Sequence, residues 1–348
     1  MKDLIIDGAS GRSTIRVDGS LADLAQMLPP KNCVIITDDN VWQIYQTQFP
    51  PIEVIKIGTG ETIKTMDTLG AIYERLVAME ADRDTFLVAI GGGIVCDIAG
   101  FAASTYMRGI RYGFVASSLL AQVDASVGGK NGVNFEGYKN MVGVFNQPEF
   151  VICDLDLLTT LPKREILCGM AEVVKHAVIA DVELFEYLFT RTDEALNVDR
   201  AVMKRAVYDS VVIKSAIVNT DEREKGERRK LNFGHTFGHA VEKVMGLPHG
   251  EAVGFGMAVA TAFSVKLGLL KSEDAIRVSD LLTRLNLPTH LQVDPGLLLE
   301  ALKKDKKRHG DGVAFVLIEG IGKAVVQQIS FAQIESVFNE LSGQLTVQ

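Results

Sequence analysis

The sequence predicts an α/β N-terminal domain followed by a mainly α-helical C-terminal domain. Three observations carry this expectation. The first part alternates short β-branched runs with helical patterns, the texture of a mostly parallel sheet covered by helices on both faces. From about Leu161 the strand signals give way to successive helical periods. At 348 residues the chain is also long for a single hydrophobic core. The expected boundary separates residues 1–158 from residues 159–348.

The elements follow in order. CVIIT (33–37), EVIKI (53–57), TFLVAI (85–90), YGFVA (112–116) and FVICDL (150–155) read as buried strands. TIKTMDTLGAIYERLVAME has helical period and length. Residues 123–143, VDASVGGKNGVNFEGYKNMVG, are too glycine-rich and polar for a plain helix and read as a loop. Helical periodicity then covers 163–188, 195–220, 232–246, 250–267 and 272–285, with GLPHG and LNLPTH as turns between. AFVLIEGIGKAVVQQIS reads as a small hairpin before a last helix.

Composition narrows the classes of function. The hydrophobic share of 47% and charged share of 23% are those of an ordinary globular protein. A net charge of −8 argues against a nucleic-acid partner. The start, MKDLIIDGASGRS, lacks the apolar core of a signal peptide, and AVGFGMAVATAF is too short to span a bilayer, so no membrane partner is expected. Cys33, Cys96, Cys153 and Cys168 are scattered with no CxxC pair, which fits reduced thiols and a cytoplasmic location.

Several stretches carry chemistry. AIGGGIVCDIAGF (89–101) is a strand, a glycine triplet and a helix start. Glycine lets backbone approach a pyrophosphate, and a helix N-terminus favours its charge. This is not the GxGxxG fingerprint, so a tight turn is the plain alternative. Asp97 lies in that first turn. TDDN and GETIK follow predicted strands, so Asp38, Asn40, Glu61 and Lys64 could reach a nucleoside at the strand ends. Lys130 follows two glycines and Lys139 precedes Asn140, which suits a phosphate seat. Asp124 adjoins an apolar run. Glu172 and Lys175 share a helix face otherwise made of Met170, Val173, Val174 and Ala177. Lys214 stands in an apolar helix, whereas the charged run 222–230 and KKDKKRHG (303–310) read as solvated segments.

LNFGHTFGHAVEKVMGLPHGEAVG (231–254) holds three of the six histidines. His235 and His239 are one helical turn apart, a spacing that lets both bind one metal. Thr236 stands where a zinc peptidase has its glutamate, which disfavours that class. His249 opens a second helix. With Glu172 the histidines could make a three-ligand site with an open position, as catalytic zinc needs. Spacing leaves open which two histidines bind.

Together, GGGxxxD, VDxSxGGK, KN, GMAEVxK, NFGHTFGHA, HGEAV and DKK, in this order, resemble the 3-dehydroquinate synthase family. GExxK and DxN match its adenosine-binding positions. The likeness runs through nearly the whole chain. It implies a dehydroquinate synthase-like fold and NAD held by Asp38, Asn40, Glu61, Lys64, Gly92, Gly93, Ile94, Asp97, Ser117, Ser118, Lys130 and Lys139. It implies zinc, with cobalt as a substitute, on Glu172, His235 and His249, with His239 facing the substrate instead. Substrate positions would be Arg108, Asp124, Lys130, Asn140, Lys175, Lys214, Arg228, Asn232, His239 and Lys306. Of these, Asp124, Lys175, Lys214, Asn232 and His239 would be catalytic.

The resemblance also implies a homodimer in which the counterpart of Arg228 reaches across. The substrate would be a sugar phosphate, 3-deoxy-D-arabino-heptulosonate 7-phosphate, and the products 3-dehydroquinate and phosphate in aromatic amino acid biosynthesis. Other sugar-phosphate cyclases and metal-dependent polyol dehydrogenases share the fold. Asn232 with His239 is the pattern associated with the dehydroquinate branch. The chain departs from the family at Ala116-Ser117-Ser118, usually Pro-Thr-Thr, at Asn131, usually threonine, and at Tyr138, usually glycine.

Overall fold

The computed structural model describes residues 3–303, 308–309 and 312–345. Two compact units make up the chain. One is Met1–Pro162 with Met203–Arg223, the other Lys163–Val202 with Glu224–Gln348. The expected single boundary at 158/159 is thus replaced by a chain that returns once to the first unit, through most of the helix Arg200–Thr220. Periodicity shows which helix positions are apolar. It does not show which neighbours they meet.

The first unit is built on a seven-stranded sheet. Its strands are β1 (Leu4–Gly8), β2 (Gly11–Val17), β3 (Cys33–Asp38), β4 (Glu53–Ile57), β5 (Phe86–Gly91), β6 (Arg111–Ala116) and β9 (Phe150–Cys153). The order is β1-β2-β9-β6-β5-β3-β4, parallel except for the β1–β2 hairpin. All five expected strands form. β5 is buried along its whole length, as a central parallel strand covered on both faces must be. Val88 at its middle pairs with Ile35 of β3 and Gly113 of β6. Phe86 stacks on Phe150 at 5.8 Å, within a core that includes Ile35, Ile90, Val115 and Ile152. β9 ends before the expected Asp154-Leu155. Asp154 instead caps the following 3-10 helix and accepts hydrogen bonds from the amides of Asp156 (2.9 Å) and Leu21 (2.7 Å).

The stretch expected as a loop holds a second hairpin, β7 (Lys130–Phe135) with β8 (Tyr138–Phe145). Its glycines permit this. Gly132 faces Gly143 across the pair, and a Cβ on Gly143 would stand 2.3 Å from the carbonyl oxygen of Asn131.

The second unit is mainly helical. The helix expected over 163–188 is two, Lys163–Ala180 and Val182–Thr190. Between them Asp181 caps the second, accepting the Leu184 amide at 3.0 Å. The helix expected over 195–220 begins at Arg200. Val198 has a φ of 56°, and Asp199 accepts from the amides of Ala201 and Val202, so a new start is set there. His235–Met245, His249–Lys266 and Ser272–Arg284 match expectation, and Pro295–Lys303 adds a helix the patterning did not disclose. The expected hairpin is β11 (Gly312–Gly320) with β12 (Lys323–Ser330), extended by the short β10 (Arg308–His309) and followed by Phe331–Leu345. Phe237, Phe263, Phe315 and Phe338 form the aromatic centre, with Phe237 and Phe338 4.6 Å apart. Among the described residues no helix is long and apolar enough to cross a membrane.

Candidate active site

In the second unit three elements converge. The helix Lys163–Ala180 brings Glu172 and Lys175, which are 0% and 1% exposed. Gly234, in left-handed backbone at φ 79°, turns the chain so that the next helix opens on His235. Pro248 precedes the helix that opens on His249. Small residues bring these helices close. A Cβ on Gly256 would lie 1.8 Å from the Gly234 carbonyl oxygen, and one on Gly250 would lie 2.4 Å from the Cys168 Cα.

The resulting geometry suits a cation. Glu172, His235 and His249 offer ligand atoms that all lie within 4.8 Å of one another. His249 Nε2 is 3.3 Å and His235 Nε2 3.6 Å from Glu172 Oε1. Each imidazole is anchored through its other nitrogen. His249 Nδ1 pairs with Glu242 Oε1 at 2.8 Å, and His235 Nδ1 with the Phe233 carbonyl oxygen at 3.1 Å. Such outer partners fix the ring and turn Nε2 toward the site. Lys175 Nζ donates to Glu172 Oε2, so the two carboxylate oxygens have separate tasks. His239 stands edge-on to His235, with ring centroids 5.4 Å apart, and lies outside the convergent trio.

Electrostatics agree with this donor set. Burial holds His235 well below the usual imidazole range, so it is neutral and can donate a lone pair. Burial alone would also lower His249. Its hydrogen bonds to Glu172 and Glu242 override that and push it up to about 10. A proton there balances two carboxylates, a place that a divalent cation would take over.

Sequence reasoning missed Glu242, whose contact with His249 spans the turn at 246–248 and leaves no periodic signal. Asn232 contacts Glu224 through its amide. Arg228 is buried, at 2% exposed. Lys306 lies outside the described residues.

In the first unit, the strand ends gather a second set. Asp38 ends β3 and caps the helix Asp39–Tyr45 through the Val41 amide at 2.8 Å, with Asn40 exposed in the first turn. Burial raises its carboxyl above the usual range. After β5, the extended Gly92 leads into the helix Gly93–Thr105, which carries Ile94 and Asp97. Here space is tight, most of all at Gly93. A Cβ on Gly93 would stand 2.9 Å from the Ala125 Cβ, and one on Gly92 3.3 Å from the Ser118 Oγ. Ser117 donates its amide to the Gly91 carbonyl at 2.9 Å, and Ser118 Oγ accepts from Ala121 at 3.2 Å.

Lys64 is buried between Asp97 and Asn140, donating to the Asn140 amide oxygen at 2.6 Å. Burial raises the Asp97 carboxyl against the pull of Lys64. Glu61 accepts from the Asn134 side chain at 2.8 Å, and Asn134 in turn accepts the Asn140 amide at 2.8 Å. Asn134 is therefore a link that the sequence did not single out. Lys130 and Lys139 are exposed on the β7–β8 hairpin. Lys214 Nζ meets Asp124 at Oδ1 and at the carbonyl oxygen, both at 2.5 Å. Arg108 is exposed in a turn where Met107, Arg108 and Gly109 all have positive φ.

Comparison with known proteins adds family information. A family model described as 3-dehydroquinate synthase N-terminal matches residues 54–168, and one described as 3-dehydroquinate synthase C-terminal matches 169–308. The 3-dehydroquinate synthase of Caulobacter vibrioides (strain NA1000 / CB15N) is 46% identical over 285 residues, covering 79% of this chain and 77% of that protein. A 2-deoxy-scyllo-inosose synthase complexed with carbaglucose-6-phosphate, NAD+ and Co2+ superposes with a TM-score of 0.87 at 26% identity, covering 97% of this chain and 100% of that one. The 2-epi-5-epi-valiolone synthase of Streptomyces hygroscopicus subsp. jinggangensis 5008, with NAD+ and Zn2+ bound, gives 0.85 at 27% identity, covering 99% and 98%.

Proposed function

This chain belongs to the 3-dehydroquinate synthase family, and on that premise we propose that it converts 3-deoxy-D-arabino-heptulosonate 7-phosphate to 3-dehydroquinate and phosphate. The observation that carries the reading is the convergence of Glu172, His235 and His249, each histidine anchored through Nδ1. The chemistry is a transient oxidation at C5, loss of phosphate by β-elimination, reduction, ring opening and an intramolecular aldol closure. It has no net redox change. When bound, NAD would supply hydride acceptance and return, and zinc, or cobalt, would polarise the substrate's vicinal hydroxyls.

The chain's own groups divide the remaining work. Glu172 Oε1 and the two Nε2 atoms would hold the metal, while Lys175 keeps Glu172 oriented. The glycine turn at Gly92 and Gly93, with Ile94, Asp97, Ser117 and Ser118, would cradle the dinucleotide's phosphates and adjoining sugar. Asp38, Asn40, Glu61 and Lys64 would hold its adenosine end. Lys139 would add a contact. Lys130, Asn140, Arg228 and Lys306 would bind the substrate phosphate, with Arg108 a further anion contact. Lys214 and Asn232 would bind the carboxylate end, through charge and a planar amide. His239, Lys175 and Asp124 would orient hydroxyls and carry protons. We place the enzyme in the cytoplasm as a homodimer, in keeping with scattered buried thiols and the family.

Purified protein given the heptulosonate phosphate and zinc should release phosphate and dehydroquinate in equal amounts. Substoichiometric NAD should suffice for many turnovers. Net NADH accumulation from glycerol or a glycerol phosphate, without phosphate release from the heptulosonate, would favour a polyol dehydrogenase and sink this reading.

A further inference from the structure

Lys130 begins β7 directly after Gly128 and Gly129, whose φ values are 101° and 68°. Two glycines in succession give such a junction little stiffness of its own. An anion seat needs its cation held, because freezing a mobile lysine at the moment of binding costs affinity. The next residue supplies the hold. Strand alternation leaves Lys130 exposed and turns Asn131 inward, where it is 5% exposed.

The two hydrogens of the Asn131 amide are shared among three oxygens: the Asn146 carbonyl at 2.9 Å, the Tyr112 hydroxyl at 3.1 Å and the Gly129 carbonyl at 3.2 Å. Tyr112 donates its own hydroxyl hydrogen to the Asn146 carbonyl at 2.5 Å. Asn146 donates its backbone amide back to Gly129 at 2.8 Å, and its side chain to Ser104 Oγ at 2.9 Å. The amide oxygen of Asn131 lies over Gly100, where an added Cβ would stand 2.1 Å away. This side chain therefore fastens the base of the β7–β8 hairpin to β6 and packs against the helix that starts at the glycine turn, to which Asn146 bonds.

We propose that Asn131, with Tyr112 and Asn146, is a positioning residue that holds Lys130 in place to bind a phosphate group. The inference rests on the reading of Lys130 as a phosphate ligand. It gives the departure from threonine at this position a definite task.

Titration calorimetry with inorganic phosphate, on the full chain loaded with zinc and NAD, tests it through a double-mutant cycle. Lys130→Ala should weaken phosphate binding about 10-fold and Asn131→Ala about 5-fold, while the double variant should be no worse than Lys130→Ala. A positioning residue has nothing left to position once the lysine is gone, whereas general destabilisation would persist. Tyr112→Phe, which keeps the ring and loses both hydrogen bonds of the hydroxyl, should weaken binding about 2-fold. It carries the test, in the same cycle with Lys130→Ala, should Asn131→Ala fail to fold. Phosphate binding unchanged in the Asn131 and Tyr112 variants, or losses that add fully to that of Lys130→Ala, would overturn the inference and leave the Lys130 reading intact. If the wild-type chain does not bind phosphate, or Lys130→Ala binds it as the wild type does, the reading of Lys130 fails and the inference falls with it.

Discussion

His235, His239 and His249 are close in sequence, but their surroundings separate them. Two have Nδ1 occupied by a fixed acceptor and Nε2 turned to Glu172, whereas His239 stands beside this group. His235→Ala and His249→Ala should therefore lose bound zinc, and His239→Ala should keep it while turning over slowly. Glu242→Gln should lower zinc affinity by about 10–100-fold, because it loosens the ring rather than removing the donor. Metal content after dialysis decides: retention by His249→Ala with loss by His239→Ala would reverse the assignment. The cysteines are a second matter at this scale. Burial raises Cys96 well above the usual thiol range, Cys153 to about 12 and Cys168 to about 11. The thiolate is the reactive species, so alkylation of these three at pH 8 should require unfolding. Mass spectrometry of the native protein after iodoacetamide would expose any error as a rapid adduct on one of them.

At the level of elements, the helices of the second unit approach through glycine. Gly256 has the Gly234 carbonyl where its Cβ would be and the Gly238 nitrogen 2.8 Å from it, and both neighbours are backbone that cannot rotate aside. Gly256→Ala should cost about 3 kcal/mol and weaken zinc binding as well, since Gly234 sets the start of the helix that opens on His235. Gly70 is the contrast. It lies inside the helix Met66–Ala78 with nothing within 4 Å of an added Cβ, so Gly70→Ala should stabilise by about 0.4–1 kcal/mol. Thermal melts of the two variants should move in opposite directions. Equal shifts would mean that the close helix approach is not what constrains Gly256.

For the whole molecule, stability is linked to what it binds. A zinc ion held only by the folded chain should stabilise it by about 2.7 kcal/mol at about 100 times its dissociation constant, and a chelator should reverse the shift. A melting temperature indifferent to zinc and chelator would argue that the trio does not bind metal. Light scattering tests the homodimer in the same samples.

The sequence by itself determined the order of elements, because hydrophobic period and turn chemistry are local. All five expected sheet strands stand where β-branched runs predicted them. It also supplied the family, because motifs in order need no coordinates. Only the tertiary structure decided matters of distance. It paired glycines 132 and 143 into a hairpin where composition suggested a loop. It buried Arg228. It placed Glu242 behind His249, and Asn131 beneath the lysine that precedes it. The physical reason is common to all four: a hydrogen bond or a close approach depends on where separate segments meet, and that position is set by packing rather than by the spacing of residues along the chain.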